Sequence, residues 1–171
     1  PNNPIIGVRA FSSNPDEVIK AEKIVSKTYE ENGIIPCVKH FPGHGDANAD
    51  SHLTLPKIDL SLKDMEETHI KPFKSAIENG IDVIRIFDAL NDIRNLESAI
   101  KFTKKYGGHC EPALSYTISP VHNEDYFVKL AKELVQMGAD SICIKDMANL
   151  LLPMPAYNLV KRLKAEINVP I

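Results

Sequence analysis

Short apolar segments alternate with longer amphipathic segments along this chain. The apolar segments are rich in β-branched residues and lack a strict alternation of apolar and polar positions, which is typical of strands covered on both faces of a sheet. They predict four β-strands: Ile34–His40, Val83–Phe87, Pro112–Thr117 and Asp140–Ile144.

The amphipathic segments predict five helices, several of them with recognisable ends. Asn14 is suited to cap the first helix, Pro15 to occupy its first position and Gly33 to stop it. Ser61 is suited to cap the second. The predicted helices are Asp16–Asn32, Leu62–Asn79, Asn91–Tyr106, Asn123–Met137 and Pro155–Ile167.

This order, a helix followed by four strand–helix units, predicts a parallel sheet with helical crossovers. We therefore expect a single α/β domain over residues 1–171, a partial (β/α)8 TIM barrel of about four units. A closed barrel needs eight strands, and Asn168–Ile171 reads as the opening of a fifth. An open half-barrel would expose two sheet edges and one apolar face, so we expect a homodimer that completes the barrel.

Composition limits the classes of partner and compartment. The 20 basic and 23 acidic residues give a net charge of −3, which does not favour a nucleic-acid partner or an anionic membrane. No apolar run approaches the roughly 20 residues that span a bilayer. The N-terminus lacks the pattern of a signal peptide. Three widely spaced cysteines, Cys37, Cys110 and Cys143, favour buried thiols over disulfides. We expect a soluble, cytoplasmic protein.

The first candidate site is the run KHFPGHGDANADSH, Lys39 to His52, after the first predicted strand. Asp50 lies two residues before His52, so its carboxylate could orient that imidazole as a general acid/base. Lys39 and His40, at the strand end, could hydrogen-bond a polar substrate. The alternative is a metal site, because three histidines and two carboxylates are suitable ligands.

This run resembles the family 3 glycoside hydrolases, specifically the bacterial β-N-acetylglucosaminidases. The resemblance covers about residues 1–82 and includes NNPIIGVRAFSSNP (2–15) and LTLP (53–56). It implies that Arg9, Lys39 and His40 bind a small sugar, and that Asp50 and His52 form a catalytic dyad with His52 as acid/base. It also implies an aspartate nucleophile on a later strand, beyond the resemblance. Because a retaining glycosidase needs both groups, we expect little or no turnover.

A second signature begins at about residue 80. The segments GIDVIRIFDALNDIRNLESAI (80–100), ALSYTISPVH (113–122) and AKELVQMGADSICIKDMANLLLP (131–153) resemble the carboxyltransferase domain of biotin-dependent enzymes. These are pyruvate carboxylase, the oxaloacetate decarboxylase α subunit and the transcarboxylase subunit.

The second resemblance implies that Lys145 is a carboxylated lysine that binds a divalent metal, and that Asp88 and Asn91 lie at the mouth of that site. A carbamate would be an anionic oxygen donor, whereas a plain ammonium cannot ligate. The resemblance also implies an Asp and a His-x-His pair that this sequence lacks, and a Gly where Asn149 stands. The alternative for Lys145 is a strand-end lysine paired with Asp146 or a neighbouring carboxylate.

We interpret His109 and His122 as surface or loop histidines. No cofactor is expected, apart from a divalent metal if Lys145 is carboxylated.

The two resemblances meet near AIENGID, residues 76–82, so we interpret the chain as a chimera with segments 1–82 and 83–171. Three hypotheses follow, and whether the chain is an enzyme stays open between them. The first is a half-barrel scaffold without significant catalytic activity. The second is residual β-N-acetylglucosaminidase or sugar-binding activity. The third is a fragment of a metal-dependent carboxyltransferase or oxaloacetate decarboxylase.

Overall fold

A computed structural model describes residue 3 and residues 6–43, 46–47 and 58–171 of the chain. Two compact units are present, Pro1–Val83 and Ile84–Ile171. The helices are α1 Pro15–Glu31, α2 Leu62–Glu67, α3 Ile70–Glu78, α4 Ile93–Lys105, α5 Glu124–Gln136 and α6 Pro153–Glu166. The strands are β1 Cys37–Val38, β2 Val83–Phe87, β3 Cys110–Ser115 and β4 Cys143–Lys145.

The first unit begins with the helix that the sequence predicts most clearly. The Asn14 side chain accepts a hydrogen bond from the Asp16 N–H at 2.9 Å, and Pro15 occupies the first helical position, so both predicted start signals are confirmed. Gly33 adopts φ +70°, a left-handed conformation that glycine takes without cost, just after the helix ends. α1 then packs against α3.

The predicted strand at Ile34–His40 is much shorter in the structure, where β1 covers only Cys37–Val38. Ile34 and Ile35 are exposed, although both are apolar. An apolar run predicts a buried strand only where another element covers it, and these two residues are not covered.

The predicted helix Leu62–Asn79 is wrong in one respect, because the structure divides it into α2 and α3 at Thr68 and His69. Thr68 adopts φ −119° and ψ −83°, outside the helical region. The cause is Pro72, which has no N–H to donate to the Thr68 carbonyl and whose ring crowds that carbonyl. The Ser61 cap is confirmed, since its hydroxyl accepts from the Asp64 N–H at 3.1 Å.

The second unit contains a parallel sheet in which β3 lies between β2 and β4. Ile84 pairs with Cys110 and Ala113 with Cys143 in the register of this sheet. Helices α4 and α5 pack against β3, and α6 packs against α5. The buried core on this side is formed by apolar residues of the strands and helices, among them Ile84, Ile86, Leu96, Ile100, Leu114, Phe127, Leu134, Ile142 and Leu163.

The other face of this sheet carries the alternate residues of the strands. The expected apolar face is wrong for this unit, because Arg85, Glu111 and Lys145 lie there among Phe87 and Cys143. The expectation of a fifth strand receives support from the last residues, where the Pro170 carbonyl accepts from the Ile142 N–H at 2.9 Å. This segment therefore begins to pair beside β4.

Two further expectations concern the environment of the protein. Among the described residues, no helix is both long enough and apolar enough to cross a bilayer. None of the three cysteines, all of which lie among the described residues, forms a disulfide; Cys110 is buried, whereas Cys37 and Cys143 are only half-buried. Burial raises the pKa of the Cys110 thiol to about 12, so this thiol stays protonated and packs as a small apolar group.

Candidate functional site

The carboxyl end of β1 carries two of the predicted sugar-binding residues. Lys39 and His40 directly follow Val38, the last residue of β1; Lys39 is exposed and His40 is half-buried. Arg9 is exposed at the end of a short 3-10 helix, Gly7–Arg9. Polar side chains at the end of a parallel strand are in the position where barrel enzymes bind their substrates. The assignment of these three residues to sugar binding stays a prediction.

The loop after β1 is attached to α3 through its described residues, 41–43 and 46–47. The ring of Phe41 packs edge-on against Phe73, with the ring centroids 5.2 Å apart. Farther along the loop, the Asp46 carboxylate lies 2.8 Å from Nε2 of His69, the residue that precedes α3. Ala47 is buried. Phe41 and Asp46 of the loop after β1 therefore both contact α3 or the residue that precedes it.

The predicted catalytic dyad, Asp50 and His52, lies outside the described residues, as does His44. The metal alternative for this run depends on the same residues and stays open. Across the described part of the chain, no three His, Cys, Asp or Glu side chains are grouped so that they could hold a metal ion.

The predicted metal ligand Lys145 is the last residue of β4, as expected for a strand-end lysine. Its Nζ lies 3.2 Å from the centroid of the Phe87 ring, at the end of β2, in a cation–π contact. The contact joins two strand ends on one face of the sheet.

Asp146, the neighbour considered as the ion-pair partner of Lys145, stabilises the following loop. Its two carboxylate oxygens accept hydrogen bonds from the Leu150 and Leu151 N–H groups at 2.9 and 2.8 Å. These backbone donors lower the pKa of Asp146 below its usual value. In the same loop, Asn149 adopts φ +55°, a left-handed conformation that asparagine and glycine both tolerate. This explains why Asn149 can stand where the resemblance implies Gly.

Asp88 and Asn91, the predicted mouth residues, hold the loop after β2. The Asn91 carboxamide donates to the Ser115 carbonyl at 2.9 Å and accepts from the Ser115 N–H at 2.8 Å. Asp88 accepts from the Leu90 and Asp92 N–H groups, each at 2.9 Å. Ser115, at the end of β3, was not identified from the sequence. The sequence could have indicated this role, because a polar serine follows the apolar Ala113 and Leu114 at the end of the strand.

A polar network at the opposite ends of the strands was also missed. The Arg85 guanidinium on β2 pairs with the Glu111 carboxylate on β3. Ser141 donates to the same carboxylate at 3.3 Å and lies 2.7 Å from Nε2 of His109. Opposite charges inside two neighbouring strands could have predicted this ion pair. The predicted third strand, 112–117, began one residue after Glu111, so the sequence did not place Glu111 in a strand.

A cavity of about 250 Å³ lies at the amino ends of α5 and α6. The Tyr116 and Phe127 rings stack along it, with their centroids 5.4 Å apart. His122 also lines it, and Nδ1 of this histidine is 2.7 Å from the Ser119 hydroxyl. His122 and His109 thus both contact serines, and their interpretation as loop histidines stays a prediction.

The described surroundings of Lys145 do not fit a divalent-metal site. The carboxylates of Asp88 and Asp146 are engaged by backbone N–H groups. The Lys145 ammonium lies on an aromatic ring, whereas hard divalent cations need several converging oxygen ligands. No described group of acidic, histidine or cysteine side chains provides them.

Comparisons with known proteins show two regions of similarity along the chain. The profile of the glycosyl hydrolase family 3 N-terminal domain matches residues 1–98. Beta-hexosaminidase A of Pseudoalteromonas piscicida is 42% identical over 78 residues, which are 46% of this chain and 13% of that protein. The resemblance of the first signature is therefore confirmed.

The second part of the chain is similar to carboxyltransferases. A pyruvate carboxylase subunit of Methanocaldococcus jannaschii is 65% identical over 96 residues, 56% of this chain and 17% of that protein. The solved carboxyl transferase domain of Rhizobium etli pyruvate carboxylase matches with a TM-score of 0.55 and 36% identity, over 57% of this chain and 18% of that one. The chain thus spans less than a fifth of the length of each relative.

These matches confirm the recognition of two families and the fold class. Together, the 98-residue and 96-residue matches are longer than the 171-residue chain, so they overlap. At residues 70–87 a helix, a glycine and a parallel strand follow one another, an arrangement that (β/α) barrels repeat. The predicted α/β fold, part of a (β/α)8 TIM barrel, is confirmed by the parallel strand–helix units and by the carboxyl transferase structure.

Proposed function

Because the chain belongs to the glycosyl hydrolase family 3 N-terminal domain family, matched over residues 1–98, we propose that its first unit binds a small sugar of the N-acetylglucosaminide class. The observation that carries this proposal is the position of Lys39 and His40 at the carboxyl end of β1. An ammonium and an imidazole at this position can hydrogen-bond sugar hydroxyls and an acetamido carbonyl.

The chain as a whole is then a chimeric (β/α) scaffold that binds sugar with little or no turnover. The second unit supplies further strand–helix units of the same architecture. In that unit, Asp88, Asn91 and Asp146 hold loops together, which favours a scaffolding role over a chemical one. The wide spacing of the three cysteines along the chain favours thiols over a disulfide framework and supports a reducing, cytoplasmic location.

The test is a titration of the full chain with N-acetylglucosamine, followed by calorimetry or NMR. We expect saturable binding that weakens by roughly 10-fold to 150-fold in Lys39→Ala, since a hydrogen bond from a charged donor contributes roughly 1.5–3 kcal/mol. The matched control is Lys63→Ala, an exposed lysine on α2, which should bind as the wild type does. Absence of saturable binding in the wild type would exclude the proposal.

Turnover is tested separately with a chromogenic β-N-acetylglucosaminide. Residual glycosidase activity through Asp50 and His52 requires that His52→Ala lower the rate, because His52 is the proposed acid/base. Equal rates for the two proteins would assign any observed hydrolysis to something other than this dyad.

A second candidate function is that of a carboxyltransferase fragment, favoured by the 65% identity to part of an archaeal pyruvate carboxylase. Lys145, at the end of β4, is the residue that would be carboxylated. Its test is intact-mass analysis in bicarbonate, where a carbamate adds the mass of CO₂, together with metal analysis of the purified chain. An unmodified lysine and no stoichiometric Zn²⁺, Mn²⁺ or Co²⁺ would argue strongly against it.

A further inference from the structure

His69 contacts the loop that follows β1, called here the sugar-binding loop, at two residues, Gly43 and Asp46. Its Nε2 lies 2.8 Å from Oδ2 of Asp46, and its ring packs directly against Gly43. The side chain of His69 is only 9% exposed, whereas that of Asp46 is 63% exposed. A buried ring on the helix side therefore holds an exposed carboxylate on the loop side.

The contact with Gly43 leaves no room for a side chain. A Cβ at position 43 would lie 2.6 Å from Nδ1 of His69 and 2.9 Å from its Cβ, well inside contact distance. Gly43 also adopts φ +129°, which residues other than glycine rarely adopt. The loop backbone is thus pressed onto the imidazole ring at the turn closed by the Gly43 N–H and the His40 carbonyl, 2.8 Å apart.

The place of His69 in the chain makes it a suitable anchor. It lies between α2 and α3, and α3 is fixed against α1. The imidazole therefore connects a packed helix to a loop whose later residues include the proposed dyad, Asp50 and His52. Functional side chains on loops need such support, because a displacement of about 1 Å can cost a site much of its function.

We propose that His69 is a positioning residue for the sugar-binding loop, acting through its hydrogen bond to Asp46 and its contact with Gly43. The proposal deepens the proposed function, on which it rests for the identity of the ligand. His69 does not touch the sugar; it fixes Gly43 and Asp46, two points of the loop that follows the proposed sugar-binding residues Lys39 and His40.

The experiment measures hydrogen exchange by mass spectrometry on the full chain, in peptides that cover residues 41–52. His69→Phe keeps a ring against Gly43 but removes the hydrogen bond, and Asp46→Ala removes the other partner. We expect each to speed exchange in these peptides by about threefold to tenfold, which corresponds to the loss of one hydrogen bond. The double variant should exchange no faster than either single variant, because both remove the same bond.

The conservative variant His69→Gln retains an N–H donor and should restore most of the protection. His122→Phe, which alters a histidine of the second unit, should leave these peptides unchanged. N-acetylglucosamine affinity should fall in His69→Phe and Asp46→Ala and recover in His69→Gln.

The outcomes separate the two proposals. If the wild type does not bind the sugar but loop protection still depends on His69 and Asp46, the proposed function fails and the positioning role stands. If loop protection is unchanged in both variants, or falls equally in the α1 peptides, the positioning role is overturned. Asp46 is largely exposed, so Asp46→Ala tests the proposal even if His69→Phe fails to fold.

Discussion

At the end of β3, the Asn91 side chain makes the backbone hydrogen bonds that a neighbouring strand would otherwise make. Its carboxamide makes both hydrogen bonds that a paired strand would make to the Ser115 backbone. The residue is buried and adopts φ +58°, a conformation that asparagine tolerates better than most residues. A further link, from the Ser115 hydroxyl to the Asp88 carbonyl at 2.8 Å, ties the β2 loop to the same strand end.

We predict that Asn91→Ala lowers the free energy of unfolding by about 2–4 kcal/mol, because two hydrogen bonds are lost and the Ser115 backbone groups stay buried. Asn149→Ala is the matched control, since Asn149 has a similar φ of +55° but is exposed. That control should cost only about 1–2 kcal/mol, the backbone cost of the left-handed conformation. Urea titrations followed by circular dichroism measure both. Equal losses would mean that backbone conformation, not hydrogen bonding, explains the role of Asn91.

Asp140 provides a pH-dependent contribution to the stability of the second unit. Burial acts to raise its pKa, but the hydrogen bond from the Cys110 N–H and the Lys104 ammonium, 2.7 Å away, hold the pKa below its usual value. A carboxyl with a lowered folded pKa stabilises the protein above its unfolded pKa of about 4 and loses this contribution as the pH falls through the folded pKa.

We therefore predict that Asp140→Asn lowers the melting temperature near neutral pH and flattens its decline below about pH 4, where the wild-type carboxylate becomes protonated. The exposed Asp82→Asn is the control and should follow the wild-type curve. The measurement is a series of thermal melts from neutral to acidic pH. If Asp140→Asn declines as steeply as the wild type, the carboxylate is not the group that titrates.

At the scale of elements, helix ends were predicted well because their signals are local. Asn14 and Ser61, the two predicted caps, both cap helices through their own side chains, and each stands within a few residues of the backbone it caps. Strand limits depend on what covers a strand, so the exposed Ile34 and Ile35 misled the prediction of β1.

The candidate site shows the same division between local and distant signals. Lys39, His40 and Lys145 were placed at strand ends by their position in the chain alone. The contact between His69 and Asp46 joins residues 23 positions apart, across the loop and α2, and no periodic pattern reports such a distance.

The break between α2 and α3 is an element-scale feature that Pro72 controls. We predict that Pro72→Ala joins the two helices, because alanine restores an N–H toward the Thr68 carbonyl and removes the ring that crowds it. Helical circular dichroism should increase by the signal of a few residues. His69 would then rotate with the continuous helix, so exchange in the loop peptides 41–52 should rise as well.

Pro155→Ala is the matched control for this prediction. Pro155 is also the third residue of its helix, α6, but the residue that precedes that helix, Leu152, is extended. Helical signal should therefore stay unchanged in this variant. An unchanged signal in Pro72→Ala would show that Thr68 and its neighbours, rather than the proline, set the break.

At the scale of the whole molecule, two families share one architecture. The boundary between the compact units falls within β2, and the family 3 match continues past it to residue 98. Barrel enzymes repeat the strand–helix unit with little change in geometry, so a unit from one family can follow a unit from another. If the chain is the proposed chimera, this regularity would let a parallel sheet persist while the groups at its strand ends differ in origin.

The dimer expected from the sequence belongs to this scale, because an exposed edge of a parallel sheet can pair with a second copy of the chain. Pro170 directs its carbonyl toward Ile142, and backbone groups alternate in direction along a strand, so the N–H of Ile171 points away from β4. We predict a solution mass near twice the 19.0 kDa chain mass in sedimentation velocity experiments. Ile171→Pro, which removes this outward donor, should shift the equilibrium toward monomer, whereas Ile171→Ala should not. A stable, folded monomer at high concentration would contradict the dimer, and equal dimerisation of the two variants would place its interface elsewhere.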